Sequence, residues 1–149
     1  MISKILVPTD GSKAAQKAAL YAIDLAKKLK ASVTVLSVID KRSFMGQTVP
    51  AGKTSRHVIE PIEDYLREAA EWYAGEVKKL CDKNGVRAKT VITAGHPVED
   101  IVKEAARARA SLIIMGSHGK SALTAAVLGS VTYGVLHKET KIPVLIVRK

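Results

Sequence analysis

Leu112-Ile113-Ile114-Met115, followed at once by Gly116-Ser117-His118-Gly119 and nine residues later by Gly129-Ser130, decides the fold of this chain. A short, fully apolar run ending in glycine reads as a buried strand that turns sharply over the edge of a sheet. Gly116 and Gly119 lack a Cβ, which permits positive φ and a close approach of ligand to main chain. Gly129-Ser130 stands where a last helix begins, at Val131-Thr132-Tyr133. Free N–H groups at a helix start, on the positive end of its dipole, form an anion site. Ser130 adds a hydroxyl that either donates to a ligand or caps the helix. The glycines admit a duller reading, as plain turn residues.

Outward from that point, strand and helix patterns alternate. Lys4 to Val7 is an apolar run closed by Pro8, and Thr9-Asp10-Gly11-Ser12 supplies turn and cap chemistry. Ala15, Ala18, Ala19, Ala22, Ile23, Ala26 and Leu29 keep helical spacing, predicting a helix to Lys30. Val33 to Ile39 is a β-branched strand. A helix is predicted from about Glu60 to Asn84 with Ile62, Leu66, Ala69, Tyr73, Val77 and Leu80 on its buried face. Val86 to Ala94 reads as a third strand. His96-Pro97 opens a helix with acids in its first turn, Ser111 to Met115 is a fourth strand and Ile142 to Val147 a fifth.

Five strands separated by helices predict an α/β fold: a parallel sheet with helices on both faces and right-handed crossovers. Ligands in such sheets sit beyond the carboxyl ends of the strands, where strand order reverses. Strands one and four flank that point. Asp10 lies there, as a ligand contact or as an Asx turn and helix cap. Residues 40–59 are long, polar and interrupted by Gly46, Pro50 and Gly52, predicting a loop at the same edge that meets a ligand or partner.

At 149 residues the chain reads as one domain, 1–149, able to bury roughly 70% of its unfolded surface. No apolar run reaches the roughly 20 residues that cross a bilayer, so no membrane partner is expected. A single cysteine excludes an internal disulfide or CxxC site and fits a cytoplasmic location. Cys81 is expected as a buried, inert thiol. The net charge of +10 favours anionic partners without naming one. Nucleic acid is not the expected partner, because the cations are scattered and aromatics are only 4%. Trp72 and Tyr73 read as helix packing, and His57, His96 and His137 as solvent-facing. His118 has no neighbouring ligands at metal spacing. Gly52-Lys53-Thr54 and Gly119-Lys120-Ser121 lack the upstream glycine of a P-loop, and the first loop lacks the glycines of an NAD site.

These features resemble the universal stress protein family, specifically its ATP-binding branch. The likeness spans the chain: Ile5 to Ser12, Val38-Ile39-Asp40, Met115 to Lys120, Leu128 to Thr132 and Pro143 to Val147. The family's pattern G-x2-G-x9-G-(S/T) is met by Gly116, Gly119, Gly129 and Ser130. The resemblance implies a Rossmann-like, adenine nucleotide alpha hydrolase-like fold, strand order 3-2-1-4-5, that binds ATP with Mg²⁺ or Mn²⁺ bridging its phosphates. By position, Pro8, Thr9 and Val38 would line the adenine crevice, and Asp10 would reach ribose or metal. Met115, Gly116, Ser117 and Gly119 would pass under ribose and phosphates. Gly129, Ser130, Val131 and Thr132 would meet the phosphate tail, with Lys120 steering its charge. The resemblance further implies a homodimer through the last strand and a nucleotide-dependent regulatory role toward a protein partner in stress response. The alternative is a slow ATPase or phosphotransferase on the same fold.

Overall fold

The computed structural model describes residues 1–43, 55–119, 128–139 and 141–148. Strands β1 (Lys4–Pro8), β2 (Ser32–Asp40), β3 (Ala88–Gly95), β4 (Leu112–Gly116) and β5 (Val144–Val147) form one parallel sheet in the order β3-β2-β1-β4-β5. Helices α1 (Lys13–Leu29), α2 (Ser55–Lys83), α3 (Pro97–Arg107) and α4 (Ser130–Lys138) complete the regular elements, with a 3-10 turn at Lys41–Ser43. This is the expected α/β fold and strand order.

Alternation along the strands explains the layering. Successive side chains point to opposite faces, so Ile5, Val7, Leu112 and Ile114 join Ala18, Ala22, Ile23 and Ala26 of α1 and Ala74, Val77 and Cys81 of α2 in one core. Leu6, Leu36, Ile113 and Met115 face the other way, against Ile101 and Ala105 of α3 and Val135 of α4. Both faces of the sheet are therefore apolar, and every residue of β4 is buried. That is why its sequence is a continuous apolar run rather than an alternating one.

Local chemistry sets the helix limits. Ser12 caps α1, its Oγ accepting from the Ala15 N–H at 3.2 Å, and Lys30 ends it in the left-handed region at φ 56°. Proline stands at the start of α3 with Glu99 and Asp100 in its first turn, as expected.

Several expectations need correction. Helix α2 begins at Ser55, not near Glu60, and carries Pro61 inside it. The loop proposed for residues 40–59 is thus shortened at both ends, and its centre, 44–54, lies outside the described residues. The stripe of α2 keeps Ile62, Leu66 and Val77, but Ala70, Ala74 and Cys81 are buried in place of Ala69, Tyr73 and Leu80, which leaves Leu80 exposed. Trp72 is 63% exposed and meets Tyr73 edge-on at 5.9 Å, so it does not pack into the core. His96 and His137 face solvent as expected. Cys81 is fully buried, and burial pushes its thiol up to about 11.

Candidate functional site

Strand β1 delivers the first loop. The Thr9 N–H donates to the Leu36 carbonyl at 2.8 Å, carrying the β1–β2 ladder one residue past Pro8 and burying Thr9. The chain then reverses at Gly11, whose φ of +79° belongs to the left-handed region. A side chain there would also meet the Tyr73 ring, which adds to the preference for glycine that the backbone sets. Asp10 makes an Asx turn, Oδ1 accepting from the Ser12 N–H at 2.9 Å.

Strand β4 delivers the second loop. Gly116 ends the strand instead of opening the loop, and neither Gly116, Gly119 nor Gly129 takes positive φ. Their missing Cβ atoms serve a different purpose. At Gly116 a Cβ would lie 2.8 Å from the Ala14 carbonyl carbon and oxygen, so glycine lets the start of α1 close on the end of β4. At Gly119 a Cβ would lie 2.6 Å from Asp10 Oδ2. At Gly129 it would lie 2.8 Å from the His118 Cα and 3.3 Å from the Gly119 nitrogen. The first and second loops therefore touch, through residues more than a hundred positions apart.

Hydrogen bonds hold this arrangement. The Ser117 N–H donates to the Val147 carbonyl at 3.0 Å, and the Ser117 carbonyl accepts from the Gly129 N–H at 2.8 Å. Thr132 donates its hydroxyl to the Gly116 carbonyl at 2.8 Å in a buried setting, and Ser117 Oγ pairs with His118 Nδ1 at 3.0 Å. Thr132 thus acts through its side chain as a strut under the loop. Ser130 is exposed and is the first helical residue, so it does not cap α4. Gly129 occupies the cap position and offers no side chain. The amides of Ser130, Val131 and Thr132 are accordingly left for an external acceptor, at the positive end of the helix dipole.

The remaining site residues sit around this junction. Pro8 pairs in register with Leu36 and is half-buried. Val38 pairs with Thr93, half-buried against the α3 side of the core. Met115 has its side chain buried in that same core, so only its main chain borders the loop. Lys120 lies outside the described residues. Among the described residues no group of three or more His, Cys, Asp or Glu side chains could hold a metal ion. Asp10, with Oδ2 uncommitted, is the carboxylate at the two loops.

Two features escaped the reading of the sequence. The preference for glycine at Gly11 comes partly from Tyr73 on a distant helix, which no local pattern reveals. At the same carboxyl edge, Asp40 binds Arg42 with Oδ2 to Nη2 at 2.7 Å. The Arg42 hydrogen bonds hold the Asp40 carboxyl below its usual range. Such a pair helps stability above the ordinary carboxylate pKa and loses that help as pH falls through the folded-state value.

Residues 1–148 match the Universal stress protein family. The chain belongs to that family. Among its relatives, universal stress protein MJ0531 of Methanocaldococcus jannaschii is 37% identical over 149 residues, covering 100% of this chain and 84% of that protein. Universal stress protein MJ0577 of the same organism is 38% identical over 158 residues, covering 100% of this chain and 96% of that protein. The solved structure of MJ0577 superposes with a TM-score of 0.83 at 35% identity, covering 100% of this chain and 97% of that one. A universal stress protein solved in complex with cAMP shares the fold at 22% identity and a TM-score of 0.70, covering 99% of this chain and 97% of that one.

Proposed function

We propose that this universal stress protein binds ATP between the β1 and β4 loops and acts as a nucleotide-dependent switch. The observation that carries the reading is the meeting of Gly119 with Asp10 Oδ2 beside the uncapped start of α4. That junction puts main-chain donors and a carboxylate at the reversal of strand order, the position where open α/β sheets take ligands. In this reading Gly116, Gly119, Gly129 and the amides of Ser130 and Val131 receive the phosphates, and Thr132 and Ser117 keep that backbone in place. Pro8, Thr9 and Val38 border the adenine, with Asp10 at the ribose or metal. Mg²⁺ or Mn²⁺ suits the donor set: a hard cation takes one or two carboxylates with phosphate oxygens and water. Asp10 Oδ2 would hold it there, and the ion would neutralise phosphate charge.

A regulatory role is favoured over an enzymatic one by what surrounds the phosphates. Asp10 is the carboxylate at hand and is already engaged in an Asx turn, while His118 Nδ1 is taken by Ser117. With Asp10 Oδ2 given to the cation, that carboxylate is not free to activate a water. A homodimer through β5, a sheet edge, belongs to the same reading, as does a cytoplasmic location.

Mass spectrometry of small molecules released on denaturing the freshly purified protein tests the reading. It is expected to recover ATP; recovery of a flavin, or of nothing, counts against it. Incubation with ATP and Mg²⁺ separates switch from enzyme. Turnover faster than about one per minute, a hundredfold or more below ordinary enzymes, and lost in Asp10→Ala, would establish the ATPase.

A further inference from the structure

The opposite edge of the sheet carries a second constellation. A groove of about 160 Å³ opens among Lys4, Ser32, Val33, Thr34, Arg87, Ala88, Lys89 and Ala108. That volume holds on the order of ten waters. Its chemistry follows from register. Lys4 pairs with Ser32, and Thr34 pairs with Lys89. Arg87, one residue before β3, accepts the Val33 N–H on its carbonyl at 2.9 Å. Alternation places these five polar side chains on the face that Leu6 and Leu36 present to α3. Helix α3 stops at Arg107, so it leaves the first rows of that face uncovered, with Ala108 as the groove's rim.

Three cations and two hydroxyls thus converge with no carboxylate in the lining. Some basic residues elsewhere are matched, such as Arg107 to Glu104 at 3.0 Å, and Lys28 to Asp24 and Lys78 to Asp82 at 2.9 Å. Among the described residues none of Lys4, Arg87 and Lys89 enters an ion pair. Thr34, which lines the groove, is buried at 8% exposure. All three cations are exposed, so solvent screens their mutual repulsion and leaves them open to a shared anion.

We propose that this groove is a second anion site, separate from the nucleotide edge, that takes a doubly charged phosphate group. Lys and Arg supply charge-assisted donors and the hydroxyls of Ser32 and Thr34 supply neutral ones, enough for the three terminal oxygens of a phosphate. The site is a bounded pocket and not a stripe, which fits one terminal phosphate better than the row of singly charged groups along a nucleic-acid backbone. Free phosphate and the phosphate of a small monoester share this chemistry.

Amide NMR resolves the site while inorganic phosphate, ribose 5-phosphate or a short DNA duplex is titrated into the full chain. Saturable shifts are expected at Ser32, Thr34 and Lys89 with either small phosphate. Tighter binding of one of the two small phosphates identifies the source. In the Arg87→Gln/Lys89→Gln variant those shifts should need about tenfold more ligand, with circular dichroism and ATP binding unchanged. Shifts confined to Ser130 and Val131, equal affinity in the variant, or preference for the duplex would overturn the proposal. Loss of ATP binding at an intact phosphate groove would instead count only against the nucleotide reading.

Discussion

The two edges of one sheet are built on opposite plans. At the amino edge the main chain is closed by its own hydrogen bonds. Ser111 Oγ accepts from the Ser3 and Lys4 N–H groups at 2.9 and 3.0 Å and donates to the Lys4 carbonyl at 2.9 Å. Turns into the strands pass through left-handed residues, Lys30, Gly85 and Arg109, closed by backbone bonds such as Val86 N–H to the Cys81 carbonyl at 2.8 Å. At the carboxyl edge, by contrast, glycines bring loops together and a helix starts without a side-chain cap. Stability is therefore concentrated where the backbone is closed, and unspent donors where it is not. Unpartnered main-chain donors persist in a fold only where water or a ligand meets them, so the contrast itself points to the carboxyl edge as the working end.

Substitution at Gly116 gives the largest expected effect. Gly116→Val forces a side chain into the Ala14 main chain, where relaxation would have to move α1, and is expected to cost about 3 kcal/mol. Thermal or urea unfolding measures it; a variant as stable as the parent would break the claim that these glycines exist for contact. Ser111→Ala probes the other edge. It removes one hydroxyl serving three exposed backbone groups and is expected to cost about 1 kcal/mol, with ATP affinity unchanged. A loss of affinity would show that the edges are coupled.

Cys81 sharpens the comparison most gently. Its thiol titrates at about 11 in the fold, against about 8.5 in an unfolded chain. The unfolded state therefore loses its proton first. The contribution is fully present below pH 8.5 and is lost as pH rises toward 11. Native protein is expected to resist a thiol reagent at pH 8 and react only on unfolding. Rapid modification of folded protein would contradict the burial.

How far the sequence carried this picture depends on the range of the interactions. The apolar run at Leu112 to Met115, the cap at Ser12 and the Pro97 helix start are local signals, and each gave its element. Alternation implied a parallel sheet covered on both faces, whereas the strand order came with the family resemblance. The start of α2 was hidden because residues 55–57 are polar and Pro61, which has no backbone N–H to donate, reads as a break. The reason for the glycines was hidden more deeply. Spacing marked Gly116, Gly119 and Gly129 as special, yet the positive-φ rationale for Gly116 and Gly119 was mistaken. Ala14, Asp10 and His118 impose the requirement, and two of those three lie in a different part of the chain.

Calorimetric titration of ATP with Mg²⁺ into the parent protein and Gly119→Ala tests the central claim most directly. The added methyl displaces a flexible carboxylate and not backbone, so the fold should survive while the meeting of the two loops is disturbed. The account predicts saturable binding by the parent and affinity lower by about tenfold or more in the variant, at unchanged thermal stability. No heat with the parent, or equal affinity in both proteins, would contradict it.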